Sequence, residues 1–493
     1  MTHAELPLRA KRRFGAGLQC HKRLFLECYS PELADSIDPG QQAIFESGTV
    51  VGELARERFP GGRLIEEEYF RHDEAQAATR EVITNRSVPA IYEAAFTFDG
   101  IRVRVDILVR GSGRDFDLVE VKSSTGMREQ YIPDVAIQLY VVEGAGFKIR
   151  RAFLLHIDNG YVYEGGPYDV SRLFHLEEVT GTARDFIKSS APAALADMRQ
   201  PLERDTAPLI EIGRHCTRPY KCEFYEHCRE GVPDHHIEQL PRASAGLLDE
   251  LLEAGIRDIG DIPAEFPGLS ALQQRVRGCV ADGRPHVDPE LRAALQEVRY
   301  PAHFLDFETF NPALPIYVGT HPYQVIPFQW SHHVRDRAGD LSHHSFLADG
   351  DGDPREGFAA SLLDAIGPEG TIIAYSSYEQ TIIKQLAGDL PQYAERLLDL
   401  NTRFLDLLEV LRAYYYHPDF HGSYSIKAVL PALVPDAGYQ DLGIQDGSQA
   451  SLTFAQMIAP ETGEDERKGL REALLAYCQR DTEAMVLIFD VLR

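Results

Sequence analysis

The feature that most constrains this chain is the run Ala302-His303-Phe304-Leu305-Asp306-Phe307-Glu308-Thr309. Its apolar residues predict a central strand, and its spacing sets two carboxylates on one side of that strand. Burying two neighbouring acids is costly unless a cation shares them. Two later segments supply matching chemistry. Ile372-Ile373-Ala374-Tyr375 reads as a strand running into a helix that carries Glu379 at its start. Tyr477 and Asp481 stand four apart, on one face of a C-terminal helix expected over Leu470–Leu492.

A second set of the same kind lies upstream. Alternating apolar residues predict strands over Ile91–Phe98, Ile101–Val109 and Phe116–Lys122. Asp106 falls in the second of these, and Glu120 and Lys122 share one face of the third. A hairpin brings the three together. Two carboxylates offer hard oxygen ligands to Mg²⁺ or Mn²⁺, and a lysine beside them activates water or offsets phosphate charge. A helix over about 40–60, another near Ile132–Val142 and a strand over Arg151–Ile157 complete a mixed α/β order.

The 493 residues suffice for several domains. We read 1–235 as the first, 236–298 as a small helical connector and 299–493 as a second α/β domain, with a proline-rich spacer over Pro192–Pro208. The net charge of −26 argues against a protein that coats nucleic acid electrostatically, yet it suits sites built from carboxylates. Residues 301–493 hold 13 Lys and Arg against 28 Asp and Glu. A basic run, Arg9, Lys11, Arg12, Arg13, Lys22 and Arg23, can meet a phosphate backbone or form a solvated tail. With no apolar membrane-length stretch and no secretory h-region behind Met1–Phe14, the expectation is a cytoplasmic protein without membrane partners. The sequence carries no signal of oligomeric state.

Seven cysteines are too few for a disulfide framework. Three of them, Cys216, Cys222 and Cys228, are spaced more widely than paired zinc thiols, which disfavours zinc. They need a fourth, for which Cys20 is the candidate and Cys28 the fallback. Cys279 and Cys478 read as core. Lys427, within Gly422–Lys427, reads as a substrate contact or part of a helix cap, and Tyr414-Tyr415-Tyr416 as base-stacking or core residues.

Asp106, Glu120-Val121-Lys122 and Gln138 resemble the RecB-like branch of the PD-(D/E)XK nuclease superfamily, which implies a restriction-endonuclease-like domain. Gly52 stands where such enzymes often carry histidine, and Val142 where they carry tyrosine, with Tyr140 nearby. The cysteines resemble those of the iron–sulfur members. That resemblance implies that Cys20, Cys216, Cys222 and Cys228 hold a [4Fe–4S] cluster stapling the domain's two ends. Asp306-Phe307-Glu308, Glu379 and Tyr477-x-x-x-Asp481 resemble the DnaQ-like exonucleases of the RNase H-like fold, which usually have aspartate in place of Glu379. The implied site holds two Mg²⁺ or Mn²⁺ ions on Asp306, Glu308, Glu379 and Asp481, with Tyr477 orienting the attacking water and Asp406 as the substitute fourth ligand. Together the pieces resemble a bacterial family joining the two domains. The expected activity is metal-dependent 3′→5′ exonucleolysis of single-stranded DNA or DNA ends, with DNA favoured over RNA as partner. The alternatives are an RNA exonuclease or a nucleic-acid-binding adaptor with a degenerate RecB-like domain.

Overall fold

The computed structural model describes residues 11–493, so Arg9 and the side chain of Lys11 lie outside the described residues. The chain is mixed α/β and divides into two compact units. One holds the described residues up to Glu230 together with Pro312–Tyr323; the other holds Gly231–Asn311 and Gln324–Arg493.

The first unit is built on strands β1 (Arg63–Leu64), β2 (Ala90–Phe98), β3 (Ile101–Arg110), β4 (Asp115–Lys122), β5 (Lys148–Ile157) and β6 (Phe174–Glu178), arranged spatially in that order. β2, β3 and β4 form an antiparallel meander, and β5 returns parallel to β4 after the helix Ile132–Gly144. That helix buries Val135, Ala136, Ile137, Leu139, Val141 and Val142. It is apolar nearly all round because it packs against the sheet on one side and the helices Lys11–Gln19 and Thr180–Ser189 on the other. Phe116 and Leu118 of β4 share its core, whereas Val119 faces a second layer with Val51 and Ala55 of the helix Pro39–Arg56. Glu120 and Lys122, in phase with Phe116 and Leu118, therefore turn toward Ile132–Gly144.

The hairpin is not the regular one expected from alternation. Glu93 has φ of 57° and drops out of the β2–β3 ladder between the pairs Tyr92–Ile107 and Ala94–Val105. Across this break β3 changes faces: Val105 packs in the core of the helix Ile132–Gly144 and Ile107 in the opposite one. Asp106 sits at the break. The segment expected as a spacer, Pro192–Pro208, instead contains the helix Ala191–Leu202. Pro192 occupies its first turn, where an amide would lack a helical partner anyway, and Leu195, Met198 and Leu202 are buried at helical spacing. Pro312–Tyr323 packs into the same unit: Gly319 donates to the Tyr163 carbonyl at 2.8 Å, Tyr163 to that of Thr320 at 2.9 Å, and Ala313 is buried.

The second unit contains β7 (His286–Val287), β8 (Ala302–Phe310), β9 (Ile326–Arg335), β10 (Leu341–Leu347), β11 (Thr371–Ala374), β12 (Phe404–Asp406) and β13 (Tyr415–Tyr416). Its five-stranded sheet has the order β10-β9-β8-β11-β12; β9 runs antiparallel to both neighbours, and β11 is parallel to β8 and β12. One face of central β8, through Leu305 and Phe307, packs on the helices Arg355–Ile366, Tyr378–Asp389 and Ala394–Leu400. On the other face Phe304 meets Phe489 at 5.5 Å between ring centroids, and Phe310 meets Phe454 at 5.1 Å. These partners lie on the helices Glu464–Leu492 and Gly447–Ile458, so Asp306 and Glu308 are enclosed between two aromatic contacts.

The segment 236–298 is grouped with this unit and forms no separate one. Its helices are short, and they pack against β13 and the helix Leu407–Tyr414. β7 pairs with β13, and Arg275 donates to the carbonyls of Arg412 and Ala413. Tyr415 and Tyr416 are buried, which makes them core residues.

A histidine relay lies beside β8. His303 Nε2 faces the Glu369 carbonyl at 2.9 Å, and His303 Nδ1 faces His332 Nε2 at 2.9 Å. Burial, helped by neighbouring imidazoles, pushes His332 down to about 2 and His333 down to about 4. Both rings are neutral in the folded chain at pH 6.5, where the unfolded chain begins to protonate them. Stability is therefore expected to fall as pH drops from 6.5 toward 4, by up to about 1.4 kcal/mol per pH unit for each ring. Denaturant unfolding at a series of pH values checks this, and His332→Gln is expected to flatten the acid limb by about one ring's share.

Candidate functional site

The described residues bring the carboxylates of the second unit together. Asp306 and Glu308 project from one face of β8, and Asp481 comes from the C-terminal helix packed on that face. Glu379 comes from the first turn of Tyr378–Asp389, where β11 ends. Asp306 is affected by Asp481, Glu308 and Glu379, Glu308 by Asp481 and Glu379, and Glu379 by Asp406 and Asp481. Glu308, Glu379 and Asp481 are 6%, 4% and 6% exposed, while Asp306 is partly open. Burial, then mutual repulsion, pushes Asp306 and Glu308 well above the usual carboxylate range. Burial likewise takes Glu379 up to about 8 and Asp481 up to about 6. Glu379 also keeps one buried carboxylate oxygen without a hydrogen-bond partner.

Three buried acids, the partly open Asp306 and an orphaned oxygen form a donor set suited to hard divalent cations. Ligand atoms of Asp306, Glu308 and Cys478 all lie within 4.8 Å of one another, forming a possible metal-binding group. Cys478 is fully buried, in keeping with a core residue, but its thiol also points at Asp306 Oδ2 from 3.6 Å. Asp406, the substitute ligand, caps the helix Leu407–Tyr414 through one oxygen, accepting from the Glu409 amide at 3.1 Å, and its charge helps to raise Glu379.

Two residues at this site were not singled out as ligand partners from the sequence. Tyr439 donates to Asp481 Oδ1 at 2.6 Å. Lys427 Nζ donates to the Tyr477 hydroxyl at 3.2 Å and lies 5.2 and 5.3 Å from the Tyr477 and Tyr439 ring centroids. Tyr477 itself hydrogen-bonds Asp481. The ammonium can only donate, so the Tyr477 oxygen accepts from Lys427 and turns its own proton toward Asp481. Tyr439 precedes no recognisable motif; Lys427 was visible as a lone cation in a turn.

In the first unit Asp106 Oδ2 accepts from the amide of Val121, between Glu120 and Lys122, at 2.7 Å. Glu120 is fully buried. It accepts from Gln138 Nε2 at 2.6 Å and pairs with Lys122 Nζ at 2.9 Å. Lys122 also donates to Asp134 at 2.5 Å and stands 5.2 Å from the Tyr131 ring centroid. Burial pulls its pKa down, but Glu120 and Asp134 more than reverse this and hold the ammonium well above its usual range. The Gln138 carbonyl oxygen is buried without a partner. Asp134 was missed from the sequence because it looks like an ordinary first-turn helix acid.

Cys20, Cys216, Cys222 and Cys228 line one cavity, together with Lys22, Arg23 and His215. Cys28, the fallback, packs instead against the apolar core, and burial pushes its thiol up to about 11. Within the basic run, Arg12 and Arg23 reach Glu223 at 2.5 and 3.2 Å, and Arg23 also pairs with Glu27 at 3.0 Å. These two arginines are therefore engaged in joining the N-terminal helices to the cysteine loop.

Residues 303–425 match a family described as a domain of unknown function, DUF2779. That segment carries Asp306, Glu308, Glu379 and Asp406, and it ends before Lys427, Tyr477 and Asp481. No curated protein matches the chain. Among solved structures, one titled "Crystal structure of SSO0001" aligns with 47% of this chain and 90% of its own, at 12% identity and a TM-score of 0.22. Among the described residues no helix is long and apolar enough to cross a membrane.

The raised pKa values predict the effect of removing a charge. In the folded, ion-free chain burial and repulsion raise Asp306 and Glu308 above their unfolded values, so both destabilise the fold increasingly as pH rises above about 4. Asp306→Asn is expected to stabilise the ion-free protein at pH 8 by about 1–3 kcal/mol and by less at pH 5. It is also expected to abolish stabilisation by Mn²⁺. Thermal melts with EDTA and with Mn²⁺ measure both effects.

Proposed function

We propose that this protein is a metal-dependent nuclease whose second unit is a 3′→5′ exonuclease acting on single-stranded DNA or DNA ends. The observation that carries this reading is the convergence of Asp306, Glu308, Glu379 and Asp481, whose repulsion in a buried site calls for divalent cations. The sheet order β10-β9-β8-β11-β12, with β9 antiparallel, supports an RNase H-like fold for this unit. In that reading the four acids hold Mg²⁺ or Mn²⁺, which supplies Lewis-acid charge to a phosphodiester and lowers the pKa of bound water. The chain's own residues do the rest. Tyr439 and Tyr477 fix the orientation of Asp481, Tyr477 presents its hydroxyl beside the acids to orient a water, and Lys427 adds a positive charge for the anionic substrate.

The first unit supports the companion reading, a RecB-like PD-(D/E)XK nuclease with a [4Fe–4S] staple. β3 and β4 carry Asp106, Glu120 and Lys122, Gln138 reaches Glu120 from the helix Ile132–Gly144, and its orphaned oxygen leaves an acceptor there. For the four cysteines the spacing favours a cluster. The four thiols line one cavity, the donor set that an iron–sulfur core takes.

End-labelled single-stranded DNA incubated with the protein and Mn²⁺ is expected to shorten stepwise from its 3′ end. Asp306→Ala combined with Asp481→Ala is expected to lower this rate by at least about 10³-fold. Equal degradation by the double variant would sink the assignment, and preferential cutting of a matched RNA would move the substrate class from DNA to RNA.

For the staple, anaerobically purified protein is expected to carry iron, sulfide and visible absorption. Cys20→Ala is expected to lose them and melt at lower temperature, whereas Cys28→Ala keeps them. Zinc in place of iron, or iron retained by Cys20→Ala, is the contrary result.

A further inference from the structure

The five residues between Cys216 and Cys222 reach from the cysteine cavity to the first carboxylate site. Tyr220 sits in this loop and is anchored at both ends. Its backbone carbonyl accepts from Gln19 Nε2 at 2.8 Å, and the same amide donates to the His215 carbonyl at 2.6 Å. Gln19 immediately precedes Cys20, so one side chain ties the loop to both cysteine segments. At the other end the Tyr220 hydroxyl accepts from Gln130 Nε2 at 2.7 Å. Gln130 precedes Tyr131, whose ring underlies Lys122. Tyr131, Lys122 and Asp134 all act electrostatically on Tyr220.

Despite these anchors Tyr220 is 53% exposed. A tyrosine held at its backbone and hydroxyl, yet open on its ring, is pre-ordered for a flat partner, because little rotamer freedom remains to be lost on contact. Nucleic-acid bases carry π-faces that stack on such rings regardless of sequence.

We propose that Tyr220 is the platform on which one base of a single strand stacks as its backbone enters the Asp106–Glu120–Lys122 site, so that the cysteine loop positions substrate. This rests on the nuclease reading of the first unit. It assigns the loop a role in binding beyond closing the domain.

The test uses the full chain with the second site disabled by Asp306→Asn and Asp481→Asn, and a fluorescein-labelled oligothymidylate read by anisotropy in Ca²⁺. Tyr220→Phe, which keeps the ring and loses only the Gln130 anchor, is expected to bind within about 3-fold of the parent. Tyr220→Leu is expected to bind roughly 5- to 150-fold more weakly, the range for loss of one stacked base, with iron content and melting temperature unchanged. A second measurement stands independent of any folding defect: one abasic nucleotide moved along the oligomer is expected to weaken the parent at a single position.

Equal affinity of parent and Tyr220→Leu, or an abasic series with no sensitive position, would overturn the proposal. So would a Tyr220→Phe loss as large as that of Tyr220→Leu, which would assign the contact to the hydroxyl. Failure of the parent to bind at all would instead remove the nuclease reading of the chain, and this inference with it.

Discussion

Repulsion among carboxylates forced out of water is the constraint from which the second unit takes its form. Asp306 and Glu308 cannot leave the site, because β8 is the central strand and the intervening Leu305 and Phe307 anchor its opposite face in the core. Asp481 cannot leave either, since the C-terminal helix carrying it is fixed by Phe489 against Phe304 and by Tyr439 through a hydrogen bond. The acids are thus over-determined by packing that does not involve them. Neighbouring like charges in a low-dielectric site interact by several kcal/mol, far more than their solvent-exposed equivalents. Proteins keep such arrangements where the charges have work to do, and the carboxyls here either hold protons or share cations.

The two sites handle the same difficulty differently. In the first unit Lys122 lies between Glu120 and Asp134 and neutralises much of the charge internally. A cation drawing on Glu120 must therefore compete with the ammonium. In the second unit Lys427 acts on Glu308 and Asp481 but hydrogen-bonds to Tyr477, leaving the acids in excess. Ion binding should accordingly be coupled to release of Lys122 at the first site and to proton loss at the second. The second coupling is the more pH-dependent.

What was legible in the sequence is what period and spacing encode. Asp306 and Glu308 at strand spacing, Glu120 and Lys122 likewise, and Tyr477 and Asp481 one helical turn apart all fall where their periods put them. What was not legible depends on backbone irregularity or on partners remote in sequence. Nothing in Ile91–Phe98 announces that Glu93 adopts a left-handed conformation and breaks the ladder opposite Asp106, since a glutamate there carries no glycine-like signature. Tyr439 joins the site from an irregular segment 42 residues before its acceptor. Pro312–Tyr323 falls within the range 299–493 expected for the second domain, and only the tertiary structure assigns it to the first unit. Prolines misdirected the reading of Pro192–Pro208, where position within the helix, not proline content, decides.

The choice between Cys20 and Cys28 shows why spacing alone was insufficient. Cys20 precedes the helix His21–Tyr29 and faces the cavity, whereas Cys28, more than two turns later, follows Leu24 into the core. Burial, with Cys20 and Cys228 adding to it, raises the Cys222 thiol, and only Arg23 and a backbone hydrogen bond oppose it. Four thiolates beside one another are tenable only around a cationic centre. The arginine–glutamate pairs that hold Glu223 to the N-terminal helices fix the cavity's two sides but contribute little net positive charge. The loop that carries Tyr220 toward Lys122 is held independently of the sulfurs by Gln19 at its backbone and Gln130 at the Tyr220 hydroxyl.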